Sequence, residues 1–264
     1  MENLKQVAQL AKKHKVKVVF DSARFAENTY FIKTREEGYG HRTIKDIVKE
    51  MYSYCDAMTM SSKKDGLVNI GGFIAMSDPD LYQSANIFNI MYEGFTTYGG
   101  MAGRDLNALA QGLMESTEFE YLNARVKQVD TLAKKLIDFD IPIIKPTGGH
   151  AVFIDALTFF PHIPRDQFPA QLLGVELYIE GGIRCAEVGT LLADRDPKTR
   201  KNRFPKMELL RLAIPRRTYT QNHMDYVAVA LKNVFERRTT IHKGLKILHE
   251  PPIMRHFSVV LDRL

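Results

Sequence analysis

Cysteine is scarce in this chain: there are two residues, Cys55 and Cys185, too far apart to form a metal-spacing motif. A disulfide is not implied, and two half-buried thiols in a reducing compartment suit them better. No apolar run is long enough to span a membrane. The amino-terminal stretch "MENLKQVAQLAKKHK" has an amphipathic helical pattern without the apolar centre of a signal peptide or anchor. A cytoplasmic protein is expected. A long basic tract is also missing. The formal charge is +6, which favours anions, but the lysines and arginines are scattered. Even the densest basic region, 203–217, is interrupted by "MELLRLAI". With no zinc-finger or RNA-binding signature, nucleic acid is not an expected partner. Internal repeats and low-complexity tracts are absent as well.

What remains is an ordinary globular composition. The 264 residues are 45% hydrophobic and 26% charged, enough for one large core or two smaller ones. Residues 3–14 have helical periodicity, and "VKVVF" (16–20) is a β-branched and aromatic run. A helix feeding such a strand is the unit of a parallel sheet covered on both faces. A helix near 42–54 then leads to a strand at 57–60, a polar stretch, and a second apolar run, "LVNI" (67–70). Segment 105–139 carries a long apolar stripe, read as two helices meeting near Thr117 or as one connecting helix. After it, strands at 142–145, 151–155, 208–214 and 245–248 alternate with helices near 167–179 and 221–237, an α+β pattern. These changes divide the chain into 1–120 and 121–264.

Chemistry concentrates at the polar stretch "TMSSKKDG" (59–66). Most such stretches are turns between strands, but two adjacent lysines also have a chemical use. An amine must be neutral to attack a carbonyl, and a neighbouring cation with partial burial lowers its pKa. Asp21 and Arg24, in "DSAR", stand at the carboxyl end of the first strand, where ligands of open α/β sheets bind. Taken alone, this pair reads equally as a helix cap. Together with Lys64, Asp21 has the chemistry of a pyridoxal-phosphate site, which needs a lysine for the cofactor aldehyde and an acid opposite its ring nitrogen. Ser61 and Ser62 offer hydroxyl donors to a phosphate beside Lys63. Arg211, in "ELLRLAIPRR", lies in an apolar strand where a lone cation is costly unless it meets an anion. It serves either a structural carboxylate or a substrate carboxylate. His150, in "PTGGHAVF", reads as a packed turn histidine.

The strings "FDSARFAENTYFIKTREEGY", "MSSKKDGLVNIGGF", "YEGFTTYGGMAGRDLNALAQGL", "GGHAVFIDA", "HIPRDQFPAQ", "RLAIPRRTYTQNHMDY" and "EPPIMRHF" resemble the β-eliminating lyases, the family of tryptophanase and tyrosine phenol-lyase. The resemblance runs over almost the whole chain. It implies the α/β fold of the aminotransferase-like (fold type I) pyridoxal-phosphate enzymes. Residues 1–120 would be the remainder of the large parallel-sheet cofactor domain, and 121–264 the small α+β domain. It further implies that Lys64 is the Schiff-base lysine, that Ser61 contacts the phosphate, and that Lys63 is a near neighbour of the cofactor. Asp21 pairs with the ring nitrogen and Arg24 approaches the ring oxygen. Arg211 binds the substrate carboxylate, and Asn69 offers its backbone carbonyl to a monovalent cation, K+. Tyr98 falls in a segment at the subunit interface, the full-length members being homotetramers.

Two positions separate the two lyases. Where the phenol-lyase pattern has an arginine after a glutamate, this chain has Glu187-Val188. Where it has a phenylalanine in "RFF", this chain reads Arg255-His256-Phe257. An apolar wall with a histidine suits an indole, so tryptophan is the expected substrate, with tyrosine the alternative. Family members run to well over four hundred residues, and the phosphate loop, ring-stacking aromatic and tyrosine acid have no counterpart here. The chain is therefore expected to be a carboxyl-terminal fragment, either inactive alone or complemented by a partner.

Overall fold

Helix α1 (Glu2–Lys13) opens the chain in the computed structural model, which describes residues 1–264. Two units follow one another, Met1–Arg125 and Val126–Leu264. In the first, β1 (Val19–Asp21), α2 (Phe25–Arg35), α3 (Ile44–Tyr52), β2 (Ala57–Ser61), β3 (Gly72–Met76), α4 (Pro79–Tyr92) and α5 (Gly103–Glu115) succeed α1. The sheet order is β1-β2-β3. Strands β1 and β2 are parallel, Val19 opposite Ala57, whereas β3 returns antiparallel to β2. The expected all-parallel sheet is thus mixed.

Nor is the sheet covered on both faces, since Val19 is 56% and Ile74 45% exposed. Residues 16–18 lie outside the strand expected at 16–20. Lys15 turns the chain with φ 54°, and Val18 spends its amide on the Asp56 carboxylate at 2.7 Å. The run at 67–70 is a turn, not a strand, because Leu67 also takes a positive φ of 57°. α3 starts where Thr43 accepts from the Asp46 amide, a side-chain cap that satisfies an otherwise orphan donor. α4 starts in the same way at Asp78, with Pro79 in its first turn. No residue of α4 is buried.

Helix α6 (Phe119–Asp138) carries the chain into the second unit, and a break at 116–118 separates it from α5. There β4 (Ala151–Asp155), α7 (Ala156–Phe159), α8 (Pro169–Gly181), β5 (Ala186–Val188), α9 (Thr190–Ala193), β6 (Leu209–Ala213), α10 (Gln221–Glu236), β7 (Leu245–His249) and β8 (Val260–Arg263) follow. Strands β4, β6 and β5 form an antiparallel sheet with β6 central. Of the strand expected at 142–145, only Ile143 bridges to Ile154; prolines at 142 and 146 have no N–H to continue the ladder. The core joins Leu132 and Leu136 of α6, Leu172, Leu173 and Leu177 of α8, and Leu231 and Val234 of α10 to Ile154 and Leu210 of the sheet. Each such side chain contributes roughly 1.5–3 kcal/mol on burial. No helix is long and apolar enough to cross a membrane.

Candidate functional site

Because β1 and β2 run parallel with Asp21 opposite Thr59, their carboxyl ends share one edge of the sheet. That edge is where open α/β sheets receive ligands. Asp21 ends β1, and its Oδ1 accepts from the Ala23 amide at 3.2 Å. The Ser22 amide donates to the Thr59 carbonyl at 2.8 Å. Arg24 is the N-cap residue of α2, and its Nε is buried without a hydrogen-bond partner.

Ser61 ends β2 and begins a tight turn. The Lys64 amide donates to the Ser61 carbonyl at 3.3 Å, and the Leu67 amide to the Lys64 carbonyl at 3.1 Å. Lys64 Nζ donates to Ser61 Oγ at 2.8 Å. Of the lysine pair, Lys63 is exposed and Lys64 half-buried. Ser62 is fully buried, and its Oγ has no partner.

Three features fix this turn. A Cβ on Gly66 would lie 2.6 Å from the Ser62 carbonyl oxygen, and one on Gly112 of α5 only 2.0 Å from that of Gly66. Backbone therefore packs on backbone, which only glycine allows. Asp65, 2% exposed, accepts from the amides of Ala26 at 2.8 Å and Glu27 at 3.3 Å in the first turn of α2. Further along, Asn69 is exposed. Gly71, at φ 88°, lies against the end of the Met101 side chain. Met101 in turn donates its amide to the Tyr98 carbonyl at 2.8 Å. The first unit thus gathers Asp21, Arg24 and Ser61–Lys64 at one sheet edge and links the loops of Asn69 and Tyr98.

In the second unit, Arg211 of β6 stands opposite Phe153 and Ala186, and Val188 opposite Leu209. Side chains alternate along strands, so Arg211 and Val188 share the face turned away from the core residues Leu210 and Leu212. Arg211 is half-buried. The turn after Val188 is held on both sides. Glu208, fully buried, accepts from the Thr190 amide at 3.1 Å, from the Thr190 hydroxyl, and from Arg165 Nη2 at 3.2 Å. Arg255, also fully buried, donates through Nη2 to the Thr190 carbonyl at 2.6 Å and through Nε to that of Leu191 at 3.2 Å.

His256 follows Arg255 directly, so this clamp ties its turn to the Val188 segment. The His256 ring lies 4.0 Å from that of Phe257, and its Nδ1 is buried without a partner. Glu187 accepts from the amides of Leu191 and Leu192 at 3.1 and 3.0 Å. Burial, with Glu208 nearby, pushes its carboxyl above the usual range despite those bonds. His150 packs its ring edge-on to Phe153.

Sequence reasoning missed Asp65, Gly112, Glu208 and Arg255. The acid directly after two lysines in "SSKKDG" was one available signal. Another was a glutamate and an arginine each set among apolar neighbours, in "PKMELL" and "PPIMRHF".

The family model described as Beta-eliminating lyase matches residues 1–230. A probable beta-eliminating lyase of Trichomonas vaginalis is 62% identical over 264 residues, 100% of this chain and 58% of the relative. A tyrosine phenol-lyase of Pasteurella multocida is 53% identical over 258 residues, 98% of this chain and 56% of the relative. The chain thus spans a little over half the length of these curated relatives. Among solved structures, the serine palmitoyltransferase of Sphingomonas wittichii superposes with a TM-score of 0.55 at 15% identity, covering 90% of this chain and 51% of the other. That likeness shows the fold, the α/β architecture of the fold type I enzymes. With a family match over most of its length, the chain belongs to the β-eliminating lyases.

Proposed function

We propose that the chain supplies part of a pyridoxal-phosphate-dependent lyase that splits L-tryptophan, with water, into indole, pyruvate and ammonia. The observation that carries this is the placement of Asp21, Arg24 and the Ser61–Lys64 turn at the carboxyl ends of adjacent parallel strands. The residues fit the cofactor. Buried Ser62 Oγ and Arg24 Nε are polar atoms without partners, and such atoms are costly unless a ligand or water meets them. A structure of SPT with PLP is also among the fold neighbours, at a TM-score of 0.59 and 15% identity.

When bound, pyridoxal phosphate supplies an electron sink for the substrate α-carbon. Lys64 would hold the cofactor aldehyde and would serve as the base for the substrate α-proton. Asp21 would keep a proton on the ring nitrogen, and Arg24 would hydrogen-bond the ring oxygen. Ser61 would contact the phosphate, with Lys63 a near neighbour of the cofactor. Arg211 binds the substrate carboxylate as a two-pronged donor. Val188 would give an apolar wall and His256 a ring beside it, a combination that suits an indole. The Asn69 carbonyl offers a ligand to K+. Residues 1–120 act as the cofactor-holding domain and 121–264 as the small domain. Tyr98 belongs to a homo-oligomer interface, in a tetramer.

Tyrosine is the second reading for the substrate, favoured by relatives named tyrosine phenol-lyase at 53% and 50% identity. One experiment separates the readings. The chain is purified alone and together with the remaining part of a relative supplied as a second polypeptide. Indole and phenol release are then measured from tryptophan and tyrosine, with Lys64→Ala as control. Indole release by the mixture alone, abolished by Lys64→Ala, is expected. Faster phenol release transfers the assignment to tyrosine, and turnover by Lys64→Ala removes Lys64 from the chemistry.

A further inference from the structure

We propose that Asp65 is the positioning residue of the cofactor lysine, an inference that rests on the role assigned to Lys64 above. Its buried carboxylate accepts from the amides of Ala26 and Glu27, two of the donors left over in the first turn of α2. Its own amide donates to the Ala23 carbonyl at 3.3 Å. The tie is therefore reciprocal and joins two loops distant in sequence. One is Asp21–Arg24, which carries the acid. The other is Ser61–Lys64, which carries the amine.

The charge is well placed. An anion at a helix amino terminus is favoured by the unsatisfied N–H groups and the helix dipole. Hydrogen bonds to a charged acceptor are the stronger kind. Lys64 precedes Asp65 directly, so fixing the Asp65 backbone fixes the origin of the lysine side chain. With Gly66 wedged on the Ser62 carbonyl, the turn has little freedom left. The two lysines then differ in kind: Lys63 points to solvent, and Lys64 is half-buried with its amine on Ser61.

The test uses the chain as it stands, with pyridoxal phosphate as the probe. Its aldehyde condenses with a lysine amine, releasing water. Borohydride delivers hydride to the C=N bond and leaves a stable secondary amine. Peptide mass analysis reads the ratio of label on Lys64 to that on Lys63, which simple exposure would favour at Lys63. Selective labelling of Lys64 is expected in the unsubstituted chain. In Asp65→Ala that ratio falls about tenfold, since small misplacements of a reacting group are costly. In Asp65→Asn, which keeps one acceptor oxygen, it falls less.

Circular dichroism and melting curves confirm that each variant is folded at the labelling temperature, and Asp65→Asn carries the test if Asp65→Ala does not fold. A purely structural Asp65 would lower the melting temperature and leave the ratio unmoved, which overturns the proposal. Equal labelling of both lysines in the unsubstituted chain overturns the cofactor assignment itself, and this proposal with it.

Discussion

Gly189 shows how a single hydrogen atom in place of a side chain shapes the second unit. Its φ of −157° is ordinary extended backbone, so conformation is not the constraint. Space is: a Cβ there would lie 2.1 Å from Glu208 Oε2 and 2.7 Å from Glu187 Oε1. Neither carboxylate can yield, for Glu208 is held by Thr190 and Arg165, and Glu187 by two amides. Gly189→Ala is expected to destabilise the protein by about 2 kcal/mol, as overpacking does. Denaturant unfolding monitored by circular dichroism measures it, and an unchanged midpoint would show that the two glutamates are freer than their hydrogen bonds indicate. The Arg255 clamp has the same character. A fully buried guanidinium is tolerable because two carbonyls, Asn202, Glu250 and Asp194 meet it, and removing one side of such an arrangement costs more than the pair contributes.

Between elements, the join of α1, α3 and the loop before α3 is electrostatic. Glu50 of α3 accepts from Tyr39 at 2.8 Å, pairs with Lys5 of α1 at 3.3 Å, and bonds Arg42. Burial raises the Glu50 pKa, but the bonds from Arg42, Tyr39 and Lys5 outweigh it and take the carboxyl from 4.5 to about 2. A carboxyl depressed in the folded state stabilises fully above its unfolded value. That stability is lost as pH falls from 4.5 through about 2. Melting curves should therefore show the deficit of Glu50→Gln at neutral pH shrinking across that window. A deficit that does not change with pH would mean the ion pairs contribute nothing there.

Elements of this kind, with apolar residues at three- and four-residue spacing, were legible. Helices at 2–13, 44–52, 169–181 and 221–236 lie within a few residues of expectation. Helix α4 was not, because none of its residues is buried and its apolar side chains mark no single stripe. Strands β5 and β8, of three and four residues, are too short for alternation to register. Of the site, the lysine pair and Asp21 stood out as chemistry-bearing types. Asp65 did not, since an acid in a turn is ordinary until its partners in α2 are seen.

At the scale of the whole molecule, many large apolar side chains are exposed. Phe88 and Tyr92 of α4 stack with ring centroids 6.5 Å apart, and they are 61% and 73% exposed. Ile87, Ile90 and Met91 add to the same helix. Large apolar side chains exposed together on one helix mark an association surface. Sedimentation should show concentration-dependent association that Phe88→Glu with Tyr92→Lys weakens. Equal association in the variant would move the contact elsewhere.

The same exposure has a calorimetric consequence. The chain presents 15397 Å² to water, whereas two independent proteins of half its mass would together present about 14,000 Å². Less surface is left to uncover on unfolding, and the heat-capacity increment follows the apolar part of that surface. The stability curve of this chain is accordingly flatter than its length suggests, with less tendency toward cold denaturation and a shallower dependence on urea.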